Sequence, residues 1–195
     1  MILISSFGLC SPIVAEKAKR YIEPGNKKVL VVPFAGFDNT KTSNREIING
    51  LVPFGFERDK IDVCSEFTAE QLKGRKYDWI YVPGGNTFKL LVELKDYKIK
   101  NILREMVVGG CNYFGISSGA DLLSNDLSYL KIVDDCNYVL DSYEGLGILK
   151  RKILCHIDQR DMSVLQKVKD FDDRKTFFLR NNDIYKISEE EIKND

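Results

Sequence analysis

The segment Gly115-Ile116-Ser117-Ser118-Gly119 contains the residues of this chain that are best suited to covalent chemistry. It matches the pattern G-x-S-x-G and lies between an apolar stretch, predicted as a buried strand, and a predicted helix. At such a turn the serine hydroxyl projects from the strand end, and a side chain on either glycine would clash. The free N–H groups that open the following helix favour a developing oxyanion. The pattern therefore predicts Ser117 as a nucleophile.

A phosphate-binding loop is the alternative interpretation of this turn. The segment lacks the lysine of a Walker loop and does not have the G-x-G-x-x-G spacing of a dinucleotide site. A second glycine turn, Pro83-Gly84-Gly85-Asn86, also joins a predicted strand to a predicted helix, and helix N-termini bind many anions. A nucleotide is thus compatible with both turns but is specified by neither.

A serine nucleophile needs a base, which is normally a histidine. The chain has one histidine, His156, and it lies at the carboxyl end of a predicted strand. Parallel α/β sheets gather their sites at that edge, so we interpret His156 as the base rather than as a silent residue that ends a strand. The chemistry alone does not choose among the acids between the two residues, which are Asp121, Asp126, Asp134, Asp135, Asp141 and Glu144.

Short apolar runs alternate with amphipathic stretches along the chain. Strands are predicted at 1–5, 27–35, 60–64, 77–83, 111–114, 147–157 and 176–187, and the last contains the hairpin turn signal RNND. Helices are predicted at 12–21, 42–54, 68–74, 86–96 and 98–110 and from 118 onward. This alternation indicates a mostly parallel sheet covered on both faces. We expect one three-layer, doubly wound α/β domain, flavodoxin-like in type, over residues 1–195.

The composition is that of a soluble globular protein, with 195 residues of which 44% are hydrophobic. The 29 basic and 29 acidic residues cancel, so nothing favours binding to nucleic acid or to an anionic membrane. Five widely spaced cysteines without a C-x-x-C pair indicate reduced thiols. The chain shows neither a run as long as a membrane span nor the basic start of a signal peptide, which predicts a cytoplasmic protein.

Five segments occur in the order seen in the aspartyl dipeptidase (dipeptidase E) and cyanophycinase family of serine peptidases. They are VPGGNTFKLL (82–91), YFGISSGADLL (113–123), IVDD (132–135), GLGIL (145–149) and CHID (155–158). The chain resembles this family over roughly residues 27 to 160, and the combination of G-G-N-T-F with G-x-S-x-G-A is its most specific part. The resemblance implies a fold like that of class I glutamine amidotransferases, a Ser-His-acid triad, and no metal or other cofactor.

The resemblance also implies roles for individual residues. By position, Ser117 would be the nucleophile and His156 the general base. The acid would lie at Asp134 or Asp135, and the resemblance favours Asp134 slightly because its spacing to His156 is more similar to that in the family. Asp126 remains a third candidate for the acid.

The same comparison implies an oxyanion hole and a substrate pocket. The backbone N–H groups of Gly85 and Ser118 would hold the oxyanion, and Asn86 and Thr87 would line the pocket. A pocket that selects an acidic residue needs a cation, and Arg160 is the nearest candidate in sequence to His156. Lys89 and Arg180 are further candidates for this cation. Phe34 and Phe37, at the same predicted sheet edge, and Cys10, near the end of the first strand, are candidates for the pocket wall.

Three positions depart from the family pattern. Pro83 replaces the first glycine of G-G-G-N, Ser118 replaces the alanine after the nucleophile, and Cys155 replaces the proline before the histidine. Ser118 would add a second hydroxyl beside the nucleophile. Cys155 would loosen the backbone that fixes the imidazole.

The sequence therefore predicts a serine peptidase that hydrolyses short peptides, with an acidic N-terminal residue as the implied preference. The alternatives are a small esterase of the α/β-hydrolase type and a catalytically degenerate, amidotransferase-like binding module. The expected partner is a small peptide substrate, without nucleic acid or membrane, and a homodimer is a possible assembly.

Overall fold

A six-stranded β-sheet forms the centre of the molecule, in a computed structural model that describes residues 1–23, 25–36 and 41–195. The strands of this sheet are β1 (Ile2–Ser5), β2 (Val29–Val31), β3 (Ile61–Val63), β4 (Trp79–Val82), β5 (Asn112–Ile116) and β8 (Ile184–Ile187). Their order is β3-β2-β4-β5-β1-β8, in which β8 runs antiparallel to β1 and the other neighbours pair in parallel. A second, two-stranded parallel sheet consists of β6 (Lys152–Leu154) and β7 (Thr176–Phe178).

Helices connect these strands. The described residues form α1 (Pro12–Ala18), α2 (Lys41–Leu51), α3 (Ala69–Lys73), α4 (Thr87–Asp96), α5 (Lys100–Val108), α6 (Ser118–Asp121), α7 (Met162–Lys169) and α8 (Glu189–Lys193). Short 3₁₀ helices lie at Val52–Phe54, Arg58–Lys60, Cys64–Glu66, Ser128–Ile132 and Ile157–Gln159. None of the described helices combines the length and the apolar character that a membrane crossing requires.

Alternating apolar residues along the strands build a core on both faces of the sheet. Val29 and Val31 pack into one core with residues of α1 and α2, whereas Leu30, between them, packs into the other. The second core also contains Leu72 of α3 and the apolar residues of α4 and α5. Because a strand sends successive side chains to opposite faces, a sheet buried on both sides must be apolar throughout. The predicted three-layer α/β architecture is confirmed.

The final predicted strand, 176–187, is in fact two strands that belong to different sheets. A turn does lie at the RNND segment, where the Asp183 N–H donates to the Arg180 carbonyl, but β7 pairs with β6 and β8 pairs with β1. The hydroxyls of Ser5 and Ser6 donate to the carbonyls of Asp183 and Leu179. These bonds hold the segment between β7 and β8 across the end of β1, so the prediction of a hairpin was wrong.

The carboxyl ends of several strands meet at one edge of the sheet. In the register of the sheet, Ser5 of β1 lies beside Ile116 of β5, and Val82 of β4 lies beside Gly115. The residues that follow these strands are therefore neighbours, and they include Ser6, the glycine turn 83–85 and Ser117. This edge is where parallel α/β sheets form their sites.

Candidate active site

Ser117 occupies a strained turn between β5 and α6. Its φ and ψ are 50° and −113°, a region that residues with a side chain rarely adopt. The two glycines of the motif make the turn possible. A Cβ on Gly115 would lie 2.3 Å from the Gly119 carbonyl oxygen, and a Cβ on Gly119 would lie 2.2 Å from the carbonyl oxygen of Val82. The steric reason predicted for both glycines thus agrees with the structure.

His156 lies against the serine hydroxyl although the two residues are 39 positions apart in sequence. The distance from Ser117 Oγ to His156 Nε2 is 2.9 Å. His156 follows the end of β6 and is itself left-handed, with φ 59°. Its backbone N–H donates to Ser6 Oγ at 3.1 Å, and its ring packs near the Phe7 ring with a centroid distance of 5.4 Å. The imidazole is therefore held through both its backbone and its ring.

Asn181 contacts the other ring nitrogen. Its Oδ1 lies 2.8 Å from His156 Nδ1, and the residue is only 9% exposed. An amide oxygen can only accept, so in this arrangement Nδ1 carries the ring proton and Nε2 accepts from the serine hydroxyl. The backbone N–H of Asn181 donates to the Asp158 carboxylate at 3.1 and 3.3 Å. A neutral amide thus occupies the position for which the sequence predicted an acid.

Asp134, the predicted acid, pairs with Arg160 and does not hydrogen-bond to the His156 ring. Its Oδ1 lies 3.9 Å from Arg160 Nη2. Burial raises the pKa of Asp134, although the Arg160 guanidinium opposes the shift. In the part of the chain that the structure describes, no carboxylate hydrogen-bonds to the His156 ring. The parallel pairing of β6 with β7 is the reason, because it brings the residues after β7 to His156 instead.

The glycine turn after β4 packs directly against the nucleophile. A Cβ on Gly84 would lie 3.1 Å from Ser117 Cβ, and one on Gly85, where φ is 152°, would lie 1.9 Å from the Ala35 carbonyl oxygen. Among the described residues, the amides of Gly85 and Ser118 have no hydrogen-bond acceptor. Two unpaired donors beside a serine hydroxyl are the elements of an oxyanion hole. The Ser118 hydroxyl is buried at 1% exposure, so it does not compete with Ser117 for a substrate.

Asn86 and Thr87 both make hydrogen bonds around the glycine turn, and Asn86 also lines a cavity beside Gly85. Asn86 caps α4 by accepting from the Lys89 N–H at 2.9 Å, and its Nδ2 donates to the Asp135 carbonyl at 3.2 Å. Thr87 has no exposed surface, and its hydroxyl donates to Asp121 Oδ2 at 3.5 Å. Thr87 therefore cannot contact a substrate, and Asn86 has both ends of its amide engaged.

Arg160 hydrogen-bonds to the backbone of the residue that precedes His156. Its Nε donates to the Cys155 carbonyl at 3.1 Å, and its Nη1 donates to the Val133 carbonyl at 3.5 Å. These bonds fix the residue before His156, which compensates for the missing proline at position 155. Arg160 also pairs with Asp134, and it is not among the residues that line the cavity beside Ser117 and His156.

A buried carboxyl group lies beneath the nucleophile turn. Asp121 is 5% exposed, and its Oδ1 has no hydrogen-bond partner among the described residues. Burial raises the pKa of Asp121 well above its usual range, and the nearby Asp134 charge adds to the shift. Its environment therefore favours the protonated carboxyl group over the carboxylate.

Ser117 and His156 open into a cavity of about 760 Å³. Gly84 and Gly85 line the same cavity, as does Cys10, which the sequence placed at this edge. Phe34 is instead fully buried in the core, and Phe37 lies outside the described residues.

Sequence reasoning missed Asn181 and Ser6. The one local signal for Asn181 was the turn segment RNND, which is equally typical of a plain hairpin.

A serine on a strained strand-to-helix turn, hydrogen-bonded to an imidazole at the carboxyl edge of an α/β sheet, is the arrangement of a serine hydrolase with a nucleophile elbow. The sequence model of Peptidase family S51 matches residues 1–194, and the chain belongs to this family. It is therefore a serine-type peptidase, and the resemblance noted from the sequence motifs is confirmed.

Two curated relatives illustrate the relationship. The uncharacterized peptidase Lmo0363 of Listeria monocytogenes is 31% identical over 145 residues, which are 72% of this chain and 68% of that protein. Peptidase E of Haemophilus influenzae is 31% identical over 104 residues, which are 52% of this chain and 45% of that protein. The matched part of the chain thus spans about two thirds of the first relative and less than half of the second.

Solved structures confirm the fold. A crystal structure of a Listeria monocytogenes protein assigned as a peptidase E superposes with a TM-score of 0.75 at 22% identity, over 94% of this chain and 91% of that one. A peptidase from an acI-B1 actinobacterium gives a TM-score of 0.57 at 18% identity, over 91% of this chain and 78% of that one.

Proposed function

We propose that this chain hydrolyses short peptides through an acyl-enzyme, with Ser117 as the nucleophile and His156 as the general base. The observation that carries the proposal is the 2.9 Å contact between Ser117 Oγ and His156 Nε2 at the wall of an open cavity. A base within hydrogen-bonding distance of a hydroxyl can remove its proton as the hydroxyl attacks.

In the acylation step, Ser117 Oγ bonds to the substrate carbonyl carbon while its proton moves to His156 Nε2. The carbonyl oxygen takes the negative charge, and the N–H groups of Gly85 and Ser118 stabilise it. The Nε2 proton then passes to the departing amine nitrogen, the C–N bond breaks, and the acyl group remains on Ser117.

Deacylation repeats these transfers with water. His156 Nε2 takes a proton from the water as its oxygen attacks the ester carbon. The bond between the acyl carbon and Ser117 Oγ then breaks as the proton on His156 Nε2 passes to Oγ, which releases the acid and restores the enzyme.

Asn181 would orient the imidazole without adding charge. Its Oδ1 accepts the Nδ1 proton and selects the tautomer in which Nε2 is basic. A neutral acceptor stabilises the imidazolium less than a carboxylate would. We therefore expect a serine-histidine pair that is correctly oriented but only moderately activated.

The dimensions of the cavity support a small substrate. Pockets for small molecules measure roughly 300 to 1,000 Å³, and the cavity beside Ser117 holds about 760 Å³. A dipeptide or short peptide amide fits this volume.

The test is hydrolysis of a panel of dipeptides and aminoacyl aryl amides by wild type, Ser117→Ala and His156→Ala. Both substitutions are expected to abolish turnover, because each removes a partner of the 2.9 Å contact. A fluorophosphonate probe should label wild type and Ser118→Ala but not Ser117→Ala, which identifies the reactive one of the two adjacent serines. Turnover that survives Ser117→Ala would contradict the proposal.

A further inference from the structure

Glu46 is the one acidic or basic residue, apart from His156, among the described residues that line the Ser117 cavity. It lies on α2 and is solvent-exposed. The remaining walls include several apolar side chains, namely Leu9, Ile47, Tyr81 and Ile116. A cavity with apolar walls and one carboxylate attracts cations and repels anions.

The cations that the sequence offered for an acidic substrate lie elsewhere. Arg160 donates to the carbonyls of Cys155 and Val133 and pairs with Asp134. The Lys89 ammonium donates to the Gly36 carbonyl. Neither residue, nor the exposed Arg180, lines the cavity that Ser117 and His156 share.

The neighbouring cavity is acidic as well. It holds about 500 Å³, shares Gly85 with the Ser117 cavity, and is lined by Asp134 and Asp135 together with Asn86 and Asn137. Arg160 offsets part of the Asp134 charge at 3.9 Å. Gly85 lines both cavities. Apart from the His156 imidazole, the acidic and basic side chains that the structure describes in their walls are all carboxylates.

We infer that the Ser117 cavity selects peptides whose acyl residue is neutral or basic and discriminates against acidic ones, with Glu46 as the specificity-determining residue. The inference rests on the proposed function and names its substrate class. It runs against the acidic preference that the resemblance implied.

The experiment compares kcat/KM for aminoacyl p-nitroanilides that differ in charge at similar size, namely Asp against Asn and Glu against Gln, together with Leu and Lys. Wild type should favour Asn over Asp by on the order of tenfold, the effect of one unit charge across a partly hydrated cavity. Glu46→Gln should reduce this ratio severalfold by improving Asp turnover, and should weaken Lys turnover. The ratio in wild type should also shrink in 0.5 M salt, because Glu46 is exposed to screening.

Glu190→Gln is the matched control. Glu190 is an exposed residue of α8, just after β8. The last residue of β8, Ile187, pairs with Ile2 at the start of β1, whereas the Ser117 site lies at the end of β1. This variant should retain the wild-type ratios.

The outcomes separate the two proposals. Turnover that depends on Ser117 but favours Asp over Asn, or ratios unchanged in Glu46→Gln, would overturn the charge selection alone. If the folded wild-type protein shows neither turnover nor fluorophosphonate labelling, the proposed function is wrong, and the charge selection is wrong with it.

Discussion

Replacing Asn181 by aspartate would give His156 the charged partner that the sequence predicted at Asp134. The side chain keeps its size, so the contact to Nδ1 can stay near 2.8 Å. A hydrogen bond between neutral groups contributes about 0.5–1.5 kcal/mol net, and one to a charged group about 1.5–3 kcal/mol. The difference, roughly 1–1.5 kcal/mol, is gained when the imidazolium forms in the transition state. We expect kcat/KM to rise by roughly tenfold.

The same change should alter the pH dependence. A carboxylate at Nδ1 favours the protonated imidazole, and only the neutral ring acts as a base. The acidic limb of kcat/KM against pH should therefore move to higher pH by roughly one unit, which corresponds to the same free energy. The Asp158 carboxylate, which accepts the residue 181 N–H, repels the new charge and limits the gain. Asn181→Ala should lower kcat/KM by about tenfold or more, because the ring loses its orienting acceptor.

Asn182→Asp provides the matched control. Asn182 is the next residue of the same turn, is exposed, and accepts from Ser11 Oγ rather than from the histidine. The Asn182→Asp substitution introduces the same charge without a contact to His156. Its kcat/KM should stay within about twofold of the wild-type value at each pH. If Asn181→Asp and Asn182→Asp behave alike, or if Asn181→Ala retains full activity, the role given to the Nδ1 contact is wrong.

Three further predictions concern the supports of the site. Gly119→Ala should destabilise the fold by about 3 kcal/mol or more in urea unfolding, since its Cβ would lie 2.2 Å from the Val82 carbonyl oxygen. In the control Gly74→Ala the added Cβ has no atom within 4 Å, so the free energy of unfolding should hardly change. If both variants lose the same stability, the clash at Gly119 is not the cause. Burial raises the pKa of Asp121 in the folded chain, so unfolding releases its proton and wild-type stability falls with rising pH above the ordinary value of 3.8. The stability of Asp121→Asn relative to wild type should therefore increase as the pH rises above 3.8, by up to about 1.4 kcal/mol per pH unit, and a constant difference would contradict the raised pKa. Arg160→Ala should lower kcat at least severalfold with little change in KM, and Arg160→Lys should restore part of the loss, because the donor to the Cys155 carbonyl positions His156. A selective rise in KM would instead indicate a substrate contact.

Local features of the fold could be predicted from the sequence because they depend on residues close together in the chain. The strand, the turn and the helix around Ser117 follow from an apolar run, two glycines and a serine within a few positions. The alternation of strands and helices predicted the layers. The strand at 147–157 was predicted too long, since β6 covers only Lys152–Leu154. An apolar pattern shows burial but does not show where strand pairing stops.

By itself the sequence determined the nucleophile turn, the histidine at a strand end and the family, because these features depend on the types and spacing of residues that are close together in the chain. Only the tertiary structure decided which groups surround them. Asn181 reaches His156 because β7 pairs with β6, and Arg160 donates to the Val133 carbonyl because that segment folds beside it. Glu46 of α2 lines the same cavity as Ser117 and His156. Each of these contacts joins distant parts of the chain, and residue type does not encode the partner of a long-range contact.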